Sequence, residues 1–368
     1  MNFSAQAAVL REPAGRMSIE PVVLSEPRAD EVLVEIAACG VCHTDMVMRD
    51  GHLPVPTPVV LGHEGAGHVI AVGASVTNVQ PGDPVVLSFA SCGVCGSCTS
   101  HEPAYCHEFF PRNFFAARQD GSTTLSRDGE SIHSHVFGQS AFATHAVVPA
   151  RNAVKAPTDI PLSRLAPLGC GIQTGVGAVL NSLRVEAGSS VLVMGTGAVG
   201  MSAIMAARIA GAATIVAMDL SAPRLELSRE LGASHALLAD GRSLAELVQS
   251  AGLSGLDYII DTTGLPALIE QAVRVLNSRG VLGLVAAYPP EQTVSIELAH
   301  MMSGGRRIQG VVEGGSDPQD FIPKLIAYHR QGLLPFDRMI ELFPFSRINE
   351  AIEAGESGRV IKPVLTMI

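Results

Sequence analysis

Tryptophan is missing from this 368-residue chain, and four tyrosines with twelve phenylalanines bring the aromatic share to only 4%. Charge is sparse as well: Asp, Glu, Lys and Arg make up 16% of the residues and leave a formal net charge of −10. No run of Lys or Arg appears, which argues against a nucleic-acid partner or an anionic membrane surface; an anionic cofactor needs locally placed cations instead. Residues 1–9 carry neither a basic leader nor an apolar stretch of signal-peptide length, so a cytoplasmic location is expected. Internal repeats and low-complexity linkers are also missing.

What is present is apolar. Hydrophobic residues reach 47%, and 368 residues are too many for one ordinary core, so two well-buried domains are expected. The uncharged segment 191–207 could be mistaken for a membrane span, but glycines at 195, 197 and 200 interrupt it. A buried strand, a turn and a helix fit it better.

Up to about Pro157 the chain reads as short strands between Gly and Pro: 32–36, 67–72, 84–87 and 144–148 carry β-branched runs. From Pro161 the rhythm changes. Strand 190–194 precedes helix 199–210, strand 214–218 precedes helix 222–231, and 258–261, 266–276 and 281–285 continue the alternation. That pattern implies a doubly wound parallel sheet. Beyond about Gly310 short irregular elements are expected, ending in 360–367 and packing back on the first domain to close a cleft.

Seven cysteines in a reducing compartment favour metal ligation over disulfides. Cys92, Cys95, Cys98 and Cys106 follow C-x2-C-x2-C-x7-C, a spacing that can wrap one tetrahedral zinc, with Gly93 and Gly96 allowing tight turns. An iron–sulfur cluster is the competing use of four thiolates. With every coordination place filled, such a zinc is structural. Three further candidates lie far apart: Cys42 in Gly-Val-Cys-His-Thr-Asp, His63 in Gly-His-Glu-Gly-Ala-Gly, and Cys170 in Leu-Gly-Cys-Gly-Ile-Gln-Thr. A Cys2His set leaves one coordination place for an alcohol oxygen. Spacing alone does not show that the three converge.

Gly195-Thr-Gly-Ala-Val-Gly200 lies between an apolar strand and an Ala-rich helix, where backbone N–H groups can meet a pyrophosphate. Asp219, at the end of the next strand, suits the two ribose hydroxyls of NAD and would repel the 2′-phosphate of NADP. Arg224 nearby points the other way, or is simply a solvated helix residue.

These motifs, in this order, resemble the zinc-containing medium-chain alcohol dehydrogenases over essentially the whole chain. Cys-His-Thr-Asp-Met-Val, Glu-Phe-Phe-x-Arg-Asn-Phe, Pro-Leu-Gly-Cys-Gly-Ile-Gln-Thr-Gly and Gly-Val-Val-Glu-Gly look most like the aryl-alcohol, or benzyl alcohol, dehydrogenases of that family. The resemblance implies an α/β protein: a GroES-like, irregular, mostly-β catalytic domain over 1–170 with 312–368, and a Rossmann NAD-binding domain over 171–311. It implies two zinc ions per subunit, a homo-oligomer (dimer or tetramer), and a small alcohol or aldehyde as substrate.

Carried across residue by residue, Cys42, His63 and Cys170 are catalytic ligands, and Glu64 is a carboxylate that reaches the metal transiently. Asp45 would orient His63. Thr44 matches the hydroxyl that passes the alcohol proton outward, but the relay's usual terminal histidine is Val47 here, leaving His43, His52 or water for that step. His43 and Lys362 match pyrophosphate contacts, Thr174 and Val199 flank the nicotinamide, and Cys39 is left for packing. Leu53 and Phe137 match pocket-lining positions, with Phe110, Phe114 and Phe115 as further apolar candidates. Benzyl-type primary alcohols are the expected substrates; aliphatic alcohols and the glutathione adduct of formaldehyde are the alternatives. A zinc-free enone or quinone reductase and a non-catalytic NAD-binding protein are the competing classes.

Overall fold

The computed structural model describes residues 3–289 and 291–367, and these form two compact units. The first comprises 1–170, 317–325 and 337–368; the second comprises 171–316 and 326–336. The sequence reading placed 312–316 and 326–336 with the first unit, whereas both pack with the second.

The first unit is built on two sheets. At the heart of the larger one, Glu31–Gly40 pairs antiparallel with Glu64–Val72, with His145–Pro149 and with the late strand Lys362–Thr366. Val32, Leu33, Val34 and Ile36 are buried, as β-branched and aliphatic residues on a pleated surface covered on both sides should be. The tail does pack back on this unit, as Lys362–Thr366 is sandwiched between Glu31–Gly40 and Ile340–Pro344.

The region after Gly310 is more regular than expected. It contains a 13-residue helix, Pro318–Arg330, and a nine-residue helix, Ile348–Glu356. Pro323 inside the first helix hid it from a propensity reading. The burial of Phe321, Ile322, Leu325 and Ile326 shows what overrides the proline.

The second unit is a six-stranded parallel sheet. Numbered in chain order from Ser190–Met194, its strands lie in the order 3-2-1-4-5-6, which is the Rossmann arrangement. Val191 to Met194 are fully buried, as a central parallel strand covered on both faces must be. Helix Ala222–Leu231 starts at Ser221, whose hydroxyl accepts from the Arg224 N–H, and Leu244–Ser250 starts at a Ser243/Glu246 capping box. Helix Pro266–Arg274 stops two residues short of the expected end, because Leu276 already begins the next strand. The uncharged segment 191–207 is strand, turn and helix, and among the described residues no helix is long and apolar enough to cross a membrane.

Candidate active site

Cys42 occupies the N-cap of helix His43–Arg49, His63 precedes strand Glu64–Val72, and Cys170 follows a 3-10 turn at Ala166–Gly169. Their ligand atoms come within 4.8 Å of one another, so the three positions that spacing alone left apart meet in the first unit. Asp45 is the organiser. Fully buried, its Oδ2 accepts the Cys42 N–H (3.2 Å), while Oδ1 accepts the Gly62 N–H (3.0 Å) and the His63 Nδ1–H (2.9 Å). One carboxylate thus ties the N-cap of helix His43–Arg49 to the segment that leads into strand Glu64–Val72, and it fixes the imidazole tautomer. The opposite nitrogen, Nε2, is buried without a hydrogen-bond partner.

An orphaned imidazole nitrogen beside two thiols suits zinc, which takes nitrogen and sulfur ligands in tetrahedral sets. The electrostatics agree. A hydrogen bond from Cys170, opposed by burial and helped by His63 and Lys362, holds the Cys42 thiol well below its ordinary value. Burial disfavours charge on His63, but Asp45 and Cys42 outweigh it and raise the ring well above the usual histidine range.

Glu64 and Lys362 form a buried ion pair beside these ligands. Lys362, 2% exposed, donates to both Glu64 oxygens at 2.9 and 3.0 Å and to the Val41 carbonyl at 3.2 Å. Burial opposes the ammonium, yet Glu64 more than offsets it and raises Lys362 above its ordinary value. In this arrangement the lysine is held by a buried carboxylate, and Glu64 is not one of the three converging ligands. A Cβ at Gly40 would lie 1.9 Å from Glu64 Oε2, so the pair needs glycine there.

Thr44 is half-buried with its hydroxyl 4.0 Å from Cys42 Sγ, whereas His43 and His52 are exposed. Phe137 stacks on the His63 ring, with centroids 4.4 Å apart and planes 22° apart; Phe114 meets Phe137 edge-on at 5.1 Å, and Phe110 meets Phe114 at 5.0 Å. Leu53 is partly buried against the same core. Phe115 is 57% exposed and is no core residue. Cys39 is fully buried and packs, as the sequence reading has it.

The loop holding Phe137 escaped sequence reasoning. His135, Phe137 and Ser140 all have positive φ, at 72°, 51° and 53°. Non-glycine residues in that region store strain, which surrounding bonds must hold. Gln139 supplies them: its amide donates to the His63 carbonyl (2.9 Å) and its oxygen accepts the Gly65 N–H (3.0 Å). Asn152 donates to the Phe137 carbonyl at 3.0 Å. The aromatic wall is thereby clamped to His63 and to the start of the strand that follows it.

Cys92, Cys95, Cys98 and Cys106 form a second group whose sulfurs lie within 4.8 Å of one another. Cys92 and Cys98 are 3.8 Å apart and Cys95 and Cys106 are 4.0 Å apart. Four sulfurs at about 2.3 Å from one zinc would stand about 3.8 Å from each other, whereas a disulfide needs about 2 Å. Backbone N–H groups of Cys92, Val94, Cys95 and Glu108 point at Cys92 and Cys106 sulfurs. Gly93 has φ 77°, as a tight turn requires, but Gly96 is simply the first residue of a short helix.

In the second unit, Gly195 has φ 88°, and a Cβ on Gly200 would lie 1.9 Å from the Gly195 carbonyl oxygen, so both glycines are sterically required. A Cβ on Gly197 would meet no protein atom within 4 Å, which is the open face a pyrophosphate needs. Asp219 accepts from the Thr196 N–H (2.7 Å) and hydroxyl (2.8 Å) and from the Ser221 N–H (2.9 Å). The carboxylate is thus fixed at the rim of the glycine turn. Arg224 is half-buried with Nε unpartnered, and Val199 is half-buried at the helix start. Thr174 is 8% exposed and donates to Glu313, a residue the sequence reading overlooked.

A Rossmann sheet, a GroES-like unit, a closed four-cysteine group and an open Cys2His group together define a metal-dependent dehydrogenase. The comparisons agree. Residues 28–158 match the alcohol dehydrogenase GroES-like domain, and residues 198–327 match the zinc-binding dehydrogenase domain. A geraniol dehydrogenase of Castellaniella defragrans is 48% identical over 99% of this chain and 98% of its own. An alcohol dehydrogenase zinc-binding domain protein from Burkholderia ambifaria superposes with TM-score 0.97 at 47% identity, covering all of both chains. Benzyl alcohol dehydrogenase from Acinetobacter calcoaceticus superposes with TM-score 0.95 at 39% identity, again over all of both chains. The chain belongs to the zinc-containing medium-chain alcohol dehydrogenase family.

Proposed function

We propose that this protein oxidises primary alcohols whose carbinol carbon adjoins a flat, unsaturated carbon, benzyl-type alcohols first, to aldehydes, with NAD as hydride acceptor. The reaction is RCH2OH + NAD+ giving RCHO, NADH and a proton. The observation that carries the reading is the buried, unpartnered Nε2 of His63 between Cys42 and Cys170, with a phenyl ring stacked on the same imidazole.

Cys42, His63 and Cys170 would hold the catalytic zinc, which supplies Lewis acidity toward the alcohol oxygen. Asp45 keeps the Nδ1 proton on His63, so that Nε2 offers its lone pair. Thr44 receives the alcohol proton, and since Val47 cannot accept it, solvent or the exposed His43 or His52 takes it onward. Phe137, Phe114 and Leu53 supply an apolar wall that excludes water and favours a flat hydrocarbon. In the second unit the turn 195–200 takes the pyrophosphate, Asp219 the ribose hydroxyls, and Thr174 and Val199 flank the nicotinamide. The second zinc belongs to Cys92, Cys95, Cys98 and Cys106. The active species is proposed to be a homo-oligomer, dimer or tetramer.

The relatives support the substrate class: one is named for an allylic alcohol, the other for a benzylic one. Steady-state kinetics with benzyl alcohol, geraniol, ethanol and the glutathione adduct of formaldehyde test it, each with NAD+ and NADP+. We expect kcat/KM for benzyl alcohol to exceed that for ethanol by on the order of 10²-fold or more, from the additional apolar carbons buried. Equal or better turnover of ethanol or of the glutathione adduct overturns the substrate, and preference for NADP+ overturns the reading of Asp219.

A further inference from the structure

Residues 311–316 of the second unit have no part in the chemistry above, yet they bury an acid at a conformational cost. Glu313 is 9% exposed and has φ 47°, a region that long side chains avoid. Gly314 follows with φ 68° and lies against helix Gly171–Gly177. A Cβ on Gly177 would sit 2.4 Å from the Gly314 oxygen, and one on Gly314 would sit 2.5 Å from the Gln173 oxygen. The two glycines let the turn press against the helix backbone.

That approach builds a buried polar network. Glu313 Oε2 accepts from the Thr174 hydroxyl and from the Gln173 side-chain amide, both at 3.3 Å. The Ser316 hydroxyl lies 3.2 Å from Gln173 Oε1 and 2.6 Å from the Glu313 carbonyl oxygen. Gln173 and Ser316 are themselves at most 1% exposed. Packing alone would be served better by an apolar residue, because a buried carboxylate costs free energy unless something uses its charge or its bonds.

We infer that Glu313 is a positioning residue for the nicotinamide end of the cofactor. It fixes the Thr174 hydroxyl and sets a carboxylate beside the residue assigned to that ring, favouring the cationic, oxidised ring over the neutral, reduced one. The inference rests on the proposed place of Thr174 next to the nicotinamide. Asp219, at the opposite rim of the dinucleotide fold, selects the ribose; Glu313 selects the redox state.

The test is the ratio of dissociation constants for NAD+ and NADH, measured on the zinc-loaded protein by calorimetry and NADH fluorescence. Glu313→Gln keeps an acceptor oxygen for Thr174 and removes the charge; Glu313→Asp keeps the charge and shortens the side chain. With Gln, binding of NAD+ should weaken relative to NADH by on the order of fivefold, the effect of losing one unit charge in a partly buried setting. With Asp, the ratio should stay near that of the unaltered protein while kcat falls through the misplaced Thr174. An unchanged ratio in Glu313→Gln, equal weakening of both nucleotides, or the same shift in both variants overturns the inference. If the unaltered protein binds neither nucleotide, the proposed cofactor itself is what fails.

Discussion

Two groups of sulfur ligands in one unit show how local and distant sequence divide the labour of a metal protein. Cys92, Cys95, Cys98 and Cys106 fall within 15 consecutive positions and are braced by N–H groups of their own loop. Cys42, His63 and Cys170 span 129 positions and are braced by side chains from elsewhere: Asp45 on the imidazole, Gln139 on the His63 carbonyl, Phe137 on its ring face. The first group offers four sulfurs and nothing for a substrate. The second offers three ligands, one of them a buried nitrogen without a hydrogen-bond partner. A closed site can be encoded in a loop, while an open one needs a scaffold to bring distant ligands together and aim them at one point.

The contrast can be broken at its strongest point by His63→Ala. Turnover should fall by at least about 10³-fold, with one zinc per chain lost by metal analysis and the other retained. Loss of both metals would show that the two groups are not independent. Asp45→Asn leaves the ligands in place and removes the negative partner of His63, so kcat/KM should drop about 10- to 100-fold with weakened retention of one zinc under chelator challenge. An unaltered rate would make Asp45 a packing residue. Cys98→Ser should do the reverse of His63→Ala: the folded fraction keeps nearly its full kcat, while the unfolding midpoint falls by about 6–12 °C, equivalent to about 3 kcal/mol in a domain of this size. A fall in kcat without any loss of stability would reverse the assignment of the two groups.

Legibility in the sequence follows the same divide. The four-cysteine loop and the glycine turn could be read directly, because the residues that matter are neighbours and their spacing carries the geometry. Strands Pro84–Leu87 and Ser190–Met194 were visible for a similar reason, being short apolar runs between turn residues. Resemblance supplied the Cys42, His63 and Cys170 grouping, and only coordinates brought it together. The Lys362–Glu64 pair could not be read, since two opposite charges 298 positions apart announce nothing about contact. The left-handed loop at 135–140 was equally hidden, because His, Phe and Ser normally avoid that backbone region and only the clamp from Gln139 and Asn152 explains them. Glu313 sat inside a quoted motif, yet its value lies in two glycine contacts that spacing does not reveal.

The buried ammonium of Lys362 also sets an order of events during biosynthesis. Strand Glu64–Val72 leaves the ribosome long before Lys362–Thr366 exists, so Glu64 waits through the synthesis of 298 further positions for its counter-ion. The edge of Glu31–Gly40 that Lys362–Thr366 covers stays unpaired with it until that strand has been made. Ribosome-stalled fragments lacking that strand should expose this region to protease, which makes a late β-strand the latch on an early one.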